Sequence, residues 1–181
     1  IKVAHVEAGL RTDDLYSPFP EEGNRRLISR IAEYNFAPTK LSANALIKEN
    51  CKNVHVVGNT GIDALVMELD RQSKDPRTLD FDCDFVLITT HRRENFDRID
   101  DIKATIYLLA KEYKNLKFII PLHPNPRVAV LRDLEMLPNV IVIKPLPYDQ
   151  FVTYMEHAKL IITDSGGIQE EAPFLRKPVI V

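Results

Sequence analysis

The sequence predicts an α/β chain of two doubly wound, Rossmann-like lobes, and three observations predict it. Four apolar runs in the second half, residues 85–88, 118–120, 140–143 and 160–162, are continuous rather than alternating, as parallel strands covered on both faces require. Helical spacing lies between them, clearest in Ile99, Ile102, Ile106, Leu109 and Tyr113. The same order of strand, helix and strand recurs before a charged, proline-containing stretch at residues 73–84, which reads as a linker.

Taken in order, Lys2-Val3-Ala4-His5-Val6 is a short strand that ends at Glu7-Ala8-Gly9. Pro20 is placed as a first helical residue, with Glu21 and Glu22 favoured by the helix dipole. Leu27, Ile28, Ile31 and Ala32 supply an apolar face, and the helix is expected to run to about Tyr34. Residues 35–38 form a brief strand, and Thr39 caps a second helix whose buried face is Leu41, Ala45 and Leu46. A strand at residues 54–57 follows. Gly58-Asn59-Thr60-Gly61 then marks the exit from the first lobe, before a helical stretch at residues 62–69. The expected division is 1–60 for the end of a first lobe, 61–84 for an interdomain helix and linker, and 85–181 for a second lobe. Both the opening at Ile1 and the stop at Val181 fall on strand-like runs, so each lobe is expected to be incomplete and the chain part of something longer.

The 181 residues carry 45% hydrophobic content and a net charge of -2, which supports a sizeable core and supplies no general field for nucleic acid or an anionic membrane. Cys51 and Cys83 form no ligand motif, and neither a signal peptide nor a long apolar span is present, so a reducing cytoplasm is the expected compartment. No spacing of His, Cys and acids suits a metal.

Residues 161–173 hold the strongest chemical signal: an apolar strand, then Ser165-Gly166-Gly167, then a helix start. Free N–H groups and the helix dipole converge there as a phosphate cradle, with no Cβ at either glycine to block an anion. Ser165 either caps the helix or donates its hydroxyl to a ligand. Glu171, one turn in, is expected to reach past the phosphate toward neutral hydroxyls such as those of a ribose. Taken alone, Ser-Gly-Gly also reads as a tight turn. Glu7 ends a strand where propensity gives an acid no reason to be, and with Glu21 it forms a candidate acid–base pair; Glu21 also reads as a plain first-turn acid. In Thr89-Thr90-His91-Arg92-Arg93-Glu94-Asn95, His91 and the arginines suit a phosphate, unless Arg92 and Arg93 simply pair with Asp97 or Asp100. His123 sits in a proline-stiffened loop as a ligand contact or a hydrogen-bonded loop residue. His5 reads as a satisfied core histidine; His55 and His157 receive no role.

Five motifs in order, His5-Val6-Glu7-Ala8-Gly9-Leu10-Arg11-Thr12, Pro18-Phe19-Pro20-Glu21-Glu22-x-Asn24-Arg25, Gly58-Asn59-Thr60, Thr90-His91-Arg92-Arg93-Glu94-Asn95 and residues 164–173, closely resemble the bacterial non-hydrolysing UDP-N-acetylglucosamine 2-epimerases. The resemblance spans the whole chain and replaces the tight-turn reading of Ser-Gly-Gly. It implies the two-lobed GT-B fold, with the second lobe binding the nucleotide, and an isomerase that interconverts UDP-N-acetylglucosamine and UDP-N-acetylmannosamine without metal or nicotinamide. UDP is eliminated to leave 2-acetamidoglucal and is then re-added with C2 inverted. It further implies that Glu7, Glu21 and His91 are catalytic, that Ser165, Gly166 and Gly167 contact the diphosphate, that Glu171 holds the ribose, and that Phe151 lies by the uracil. A second UDP-N-acetylglucosamine acting as activator would use Glu21, Arg92 and His123, and a homodimer is the usual assembly. The family's catalytic aspartate lies upstream of Ile1 and a nucleotide clamp lies beyond Val181, so the isolated chain is expected to be inactive. Leu146 replaces a glutamine of some relatives near the base, and Arg176 stands where many have glycine, at a position that suits a left-handed residue. A hydrolysing epimerase and a catalytically dead UDP-sugar-binding module are the two alternatives.

Overall fold

The computed structural model describes residues 1–75, 79, 83–90 and 92–181. They form two units, Ile1–Asp63 and Ala64–Val181. Each is an α/β unit with a parallel sheet, so the predicted pair of Rossmann-like units of GT-B type is what the chain adopts.

The first unit runs β1 (Ala4–Val6), α1 (Glu21–Ile31), β2 (Tyr34–Ala37), α2 (Lys40–Lys48) and β3 (Val54–Val56). Its strands pair in the order β1-β2-β3, with Ala4 opposite Tyr34 and Asn35 opposite Val54. Thr39 caps α2 as expected, its hydroxyl accepting from the Ser42 N–H at 3.1 Å. The core is small, built of Ala8, Ala37, Ala43 and Leu46 with Cys51 and Val54 against it.

Two expectations need correcting here. α1 stops at Ile31, because Ala32 is extended and Tyr34 already belongs to β2. Its expected apolar face is exposed, with Leu27 at 69% and Ile31 at 71%, and Leu41 of α2 is 81% exposed. The buried residues of α1 are Glu22 and Ser29 instead. Polar bonds explain that choice. Arg11 forks onto Glu49 at 2.7 and 2.8 Å and also donates to Ser29 Oγ at 3.3 Å. Ser29 in turn bonds His5 Nδ1 at 3.1 Å and donates to the Arg25 carbonyl at 2.8 Å. His5 is therefore the hydrogen-bonded, partly buried residue expected, and burial first, then Arg11 and Arg25, hold its pKa below the usual histidine value.

α3 (Thr60–Lys74) begins in the first unit and continues into the second, and Asn59 opens it by accepting from the Gly61 N–H at 2.9 Å. The second unit continues with β4 (Phe85–Thr89), a 3₁₀ segment (Arg93–Arg98), α4 (Ile99–Glu112), β5 (Lys117–Pro121), a second 3₁₀ segment (Pro126–Met136), β6 (Val140–Ile143), α5 (Tyr148–His157), β7 (Leu160–Thr163), α6 (Gly166–Phe174) and β8 (Val179–Ile180). All pairings are parallel, in the order β6-β5-β4-β7-β8.

The continuous apolar runs serve two faces. Val86, Ile88, Phe118 and Ile120 point into one core with Ile99, Ile106, Val128 and Leu131. Phe85, Leu87, Ile119 and Ile161 point into the other with Leu65, Val152, Met155 and Ala172. Each fully buried side chain of this size contributes roughly 1.5–3 kcal/mol of transfer free energy, so the sheet is anchored from both sides. Asn139, buried beside the first core, donates its amide to the Ala110, Tyr113 and Leu116 carbonyls at 2.9, 3.3 and 3.1 Å and closes the end of α4. Among the described residues no helix is long and apolar enough to cross a membrane.

Candidate functional site

In the second sheet β5 and β6 lie on one side of β4, while β7 and β8 lie on the other. Strand order thus reverses between β4 and β7, and the crevice beyond their carboxyl ends is where such sheets take ligands. The sequence sends its polar motifs to this point. Thr89 and Thr163, opposite each other in register, join their hydroxyls at 2.6 Å, and Thr163 Oγ1 also accepts the Ser165 N–H at 3.0 Å. Asp164 follows. Its Oδ2 accepts from Thr90 Oγ1 at 3.2 Å, the Arg92 backbone N–H at 3.1 Å and Asn95 Nδ2 at 3.1 Å. A cavity of about 340 Å³ opens beside these groups, with Thr90, Asn95, Thr105, Ile106, Thr163 and Asp164 among its lining.

Ser165 is the N-cap of α6, with extended backbone and its hydroxyl oxygen accepting from Ile168 N–H at 3.4 Å. An accepting hydroxyl still has a hydrogen to donate, so capping and ligand contact are compatible roles. Neither glycine of the cradle is demanded by the backbone. Gly166 and Gly167 have no positive φ, and a methyl group on them would approach Arg92 Nη2 at 3.3 Å and Ser165 Oγ at 3.9 Å respectively. A side chain at Gly166 would crowd the Arg92 guanidinium at a helix N-terminus, where free first-turn N–H groups favour an anion.

The alternative pairs Arg92 and Arg93 with Asp97 or Asp100; the side chain of Arg93 lies outside the described residues, and the described contacts of Arg92 are others. Its N–H is on Asp164 and its guanidinium lies beside Gly166, whereas Asp97 bonds Arg127 at 3.1 Å. His91 lies outside the described residues. His123 is exposed, with Nδ1 accepting from the Asn125 N–H at 3.2 Å, a bond compatible with either role read for it in the sequence.

Glu171 is half-buried on α6, and Tyr148, the first residue of α5, donates its phenol to Glu171 Oε1 at 3.1 Å. Burial pushes the Glu171 carboxyl up, against the opposing effect of the Tyr148 bond. Burial and then the Glu171 charge push the Tyr148 phenol up to about 12. Phe151, one turn along α5, packs part-buried against the second core. Leu146 is half-buried just before that helix. Arg176 takes the left-handed conformation foreseen for it, φ 57°, as its N–H and that of Lys177 close the end of α6 on the Pro173 and Ala172 carbonyls, both at 2.9 Å. The conformation costs about 1–2 kcal/mol relative to glycine.

In the first unit Glu7 is exposed beyond the end of β1 and is itself left-handed, φ 58°. The turn is pinned on both sides of it: Ala8 N–H donates to the Phe36 carbonyl at 2.9 Å, and Gly9, φ 92°, passes so close to α2 that a methyl group would meet the Ser42 carbonyl oxygen at 2.2 Å. Glu7 shares this backbone region with Asp13, Asn50, Asn53 and Arg176. Glu21 opens α1 and is exposed, while Glu22 beside it is fully buried against Arg26 at 2.8 Å and Arg25 at 3.8 Å.

Several residues of these constellations received no role in the sequence reading, among them Asp164 and Asn95, which lie inside its motifs, and Tyr148, which does not. For Asp164 the signal exists, since it follows an apolar strand just as Glu7 does. Asn95 and Tyr148 act through partners 69 and 23 residues away and leave no local mark. Among the described residues no three His, Cys, Asp or Glu side chains gather as a metal site would need.

Comparison with known proteins places this geometry. The family model described as UDP-N-acetylglucosamine 2-epimerase matches residues 1–181. The UDP-N-acetylglucosamine 2-epimerase of Escherichia coli K12 is 44% identical over all of the chain and 52% of its own length. The crystal structure of UDP-GlcNAc 2-epimerase from Neisseria meningitidis bound to UDP-GlcNAc superposes with a TM-score of 0.90 at 46% identity, covering 100% of this chain and 53% of that one. The S. aureus MnaA–UDP co-structure gives 0.89 at 40% identity, covering 100% and 51%. The chain spans about half the length of the curated relatives it matches.

Proposed function

The chain belongs to the UDP-N-acetylglucosamine 2-epimerase family, and from that premise we propose that the protein interconverts UDP-N-acetylglucosamine and UDP-N-acetylmannosamine by inversion at C2. The observation that carries this reading is the Ser165-capped helix start at the strand-order reversal, with two glycines free of any backbone demand and the Arg92 guanidinium beside them. The relatives solved with UDP-GlcNAc and with UDP support a UDP-sugar as the ligand.

In this reading the diphosphate rests on the first-turn N–H groups at Ser165, Gly166 and Gly167, where the helix dipole and Arg92 offset its charge. Glu171 accepts from the ribose hydroxyls, with Tyr148 holding one of its oxygens, and Phe151 flanks the uracil. A base removes the C2 proton as the bond from C1 to the UDP oxygen breaks, and the electron pair leaves with UDP. The glucal double bond forms between C1 and C2. UDP then returns to C1 while an acid delivers a proton to the opposite face of C2. Glu7 and Glu21 handle that proton or position the glucal, and His91 with the cradle stabilises the charge developing on UDP. Glu21, Arg92 and His123 form the activator site, the domain limits are 1–60, 61–84 and 85–181, and the working protein is a cytoplasmic homodimer.

The test is product analysis on the full-length protein incubated with UDP-N-acetylglucosamine. UDP-N-acetylmannosamine should accumulate to an equilibrium mixture without net release of UDP. Stoichiometric UDP with free N-acetylmannosamine would replace this reading by the hydrolysing one.

A further inference from the structure

Asp164 poses an electrostatic problem. A carboxylate directly preceding a phosphate cradle repels the ligand the cradle is built to take, and the cost is largest where water is excluded. Among the described residues three donors meet its Oδ2, from the loop beyond β4: Thr90 Oγ1, Arg92 N–H and Asn95 Nδ2, at 3.2, 3.1 and 3.1 Å. The middle one belongs to the residue whose guanidinium lies beside Gly166. No other residue described in this crevice links the loop after β4 to the helix start after β7 by so many bonds.

We propose that Asp164 is a positioning residue for the diphosphate: its carboxylate clamps the loop after β4 so that the Arg92 guanidinium is held over the glycine cradle. The inference rests on reading the cradle as a diphosphate site. The Thr89–Thr163 hydroxyl pair at 2.6 Å brings the two strand ends together, and Asp164 fixes the direction in which the chain leaves β4. The negative charge spent on the clamp is the reason it does not act on the ligand as a bare anion, since three N–H and O–H dipoles point into it. The clamp makes the order of residues intelligible: the acid ends one strand, its donors follow the neighbouring strand, and the cation they carry lands beside the next residue but one after the acid.

The proposal has a sign that a purely electrostatic role does not share, and binding of a ligand without phosphate separates it from a purely structural one. Deleting a negative charge beside an anion site strengthens anion binding when nothing depends on the clamp; here deletion weakens it. Calorimetric titration of the full-length protein with UDP, and with uridine as the probe lacking phosphate, tests this. Asp164→Ala should weaken UDP binding about 10- to 100-fold, the scale of one or two charge-assisted hydrogen bonds, and leave uridine binding within about threefold. Asp164→Asn keeps an acceptor of the same shape and should lose less than the alanine variant. Asn95→Ala, which removes one donor and leaves the acid in place, should also weaken UDP, and it carries the test if the alanine variant at 164 does not fold. UDP binding that is unchanged or tighter in Asp164→Asn and Asn95→Ala would overturn the clamp. A wild-type protein that binds no UDP would instead remove the diphosphate reading on which the clamp depends.

Discussion

The two units keep their folds by different means. In Ala64–Val181 every central strand is sealed on both faces, and Phe85, Leu87, Phe118, Ile119 and Ile161 are almost wholly out of water. In Ile1–Asp63 the buried apolar set is three alanines and one leucine, and buried Glu22, Ser29 and Asn35 lie among hydrogen bonds and ion pairs. Apolar burial is indifferent to pH and is not screened by salt, while a carboxylate–guanidinium lattice is sensitive to both. The chain therefore carries one unit framed by apolar packing on both faces of its sheet and one whose geometry is set by charge.

The strongest way to break that contrast is Phe118→Ala, which empties the first core of the second unit. It should cost about 3–5 kcal/mol, read as faster hydrogen exchange at β4 and β5 amides. The counterpart in the first unit is Glu49→Ala. It strands Arg11, whose side chain is only 7% exposed, and should cost about 2–3 kcal/mol, read as lost protection at β1 and β2. The two variants should also separate by pH. Hydrogen bonding from Arg11 holds the folded Glu49 carboxyl below its ordinary 4.5. Its contribution is thus present above the unfolded pKa and lost as pH falls through the lowered folded value, so wild-type β1 protection should decline in acid and the Glu49→Ala protein should lack that component. Acid loss of the same size in both proteins would remove the contrast.

A smaller effect sharpens it from the ligand side. Gly166→Ala meets only the tip of a flexible arginine, so stability should change by less than about 0.5 kcal/mol while UDP affinity falls about tenfold. A protein equally destabilised and equally able to bind UDP would return the glycines to a folding role. The smallest effect concerns Glu171. Its folded pKa is raised by burial above the ordinary 4.5. As pH falls, it is protonated before an exposed glutamate and ceases to be a pure acceptor. Affinity for a UDP-sugar should accordingly begin to fall at a higher pH than an exposed glutamate would give. Glu171→Gln should flatten that profile, and Tyr148→Phe, which removes a bond that lowers the Glu171 pKa, should move its onset higher with a loss of about two- to fivefold in affinity.

What the sequence told and withheld follows the same division. Runs such as Val86-Leu87-Ile88 and Phe118-Ile119-Ile120 announced their strands, because covering on two faces leaves no room for polar alternation. The first unit was harder to read. The helical spacing of Leu27, Ile28 and Ile31 correctly marked a helix, yet periodicity locates a face and says nothing of what lies against it; the buried side turned out to be Glu22 and Ser29, drawn in by arginines and by His5. Ser165, Gly166, Gly167 and Glu171 fall within seven residues and could be read together as one motif, and the left-handed Arg176 was foreseen. Asp164 and Tyr148 escaped because their meaning lies in partners supplied by the fold: a loop some seventy residues earlier for one, and the next helix for the other.

The measurement on which the functional account stands is incubation of the full-length protein with UDP-N-acetylglucosamine in deuterium oxide, followed at C2 by proton NMR. Loss of the C2 proton signal by deuterium incorporation, with both epimers of the UDP-sugar present, is the predicted result. Tight UDP binding with the C2 proton retained and a single epimer throughout would contradict it, and would leave a nucleotide-binding cradle without epimerase chemistry.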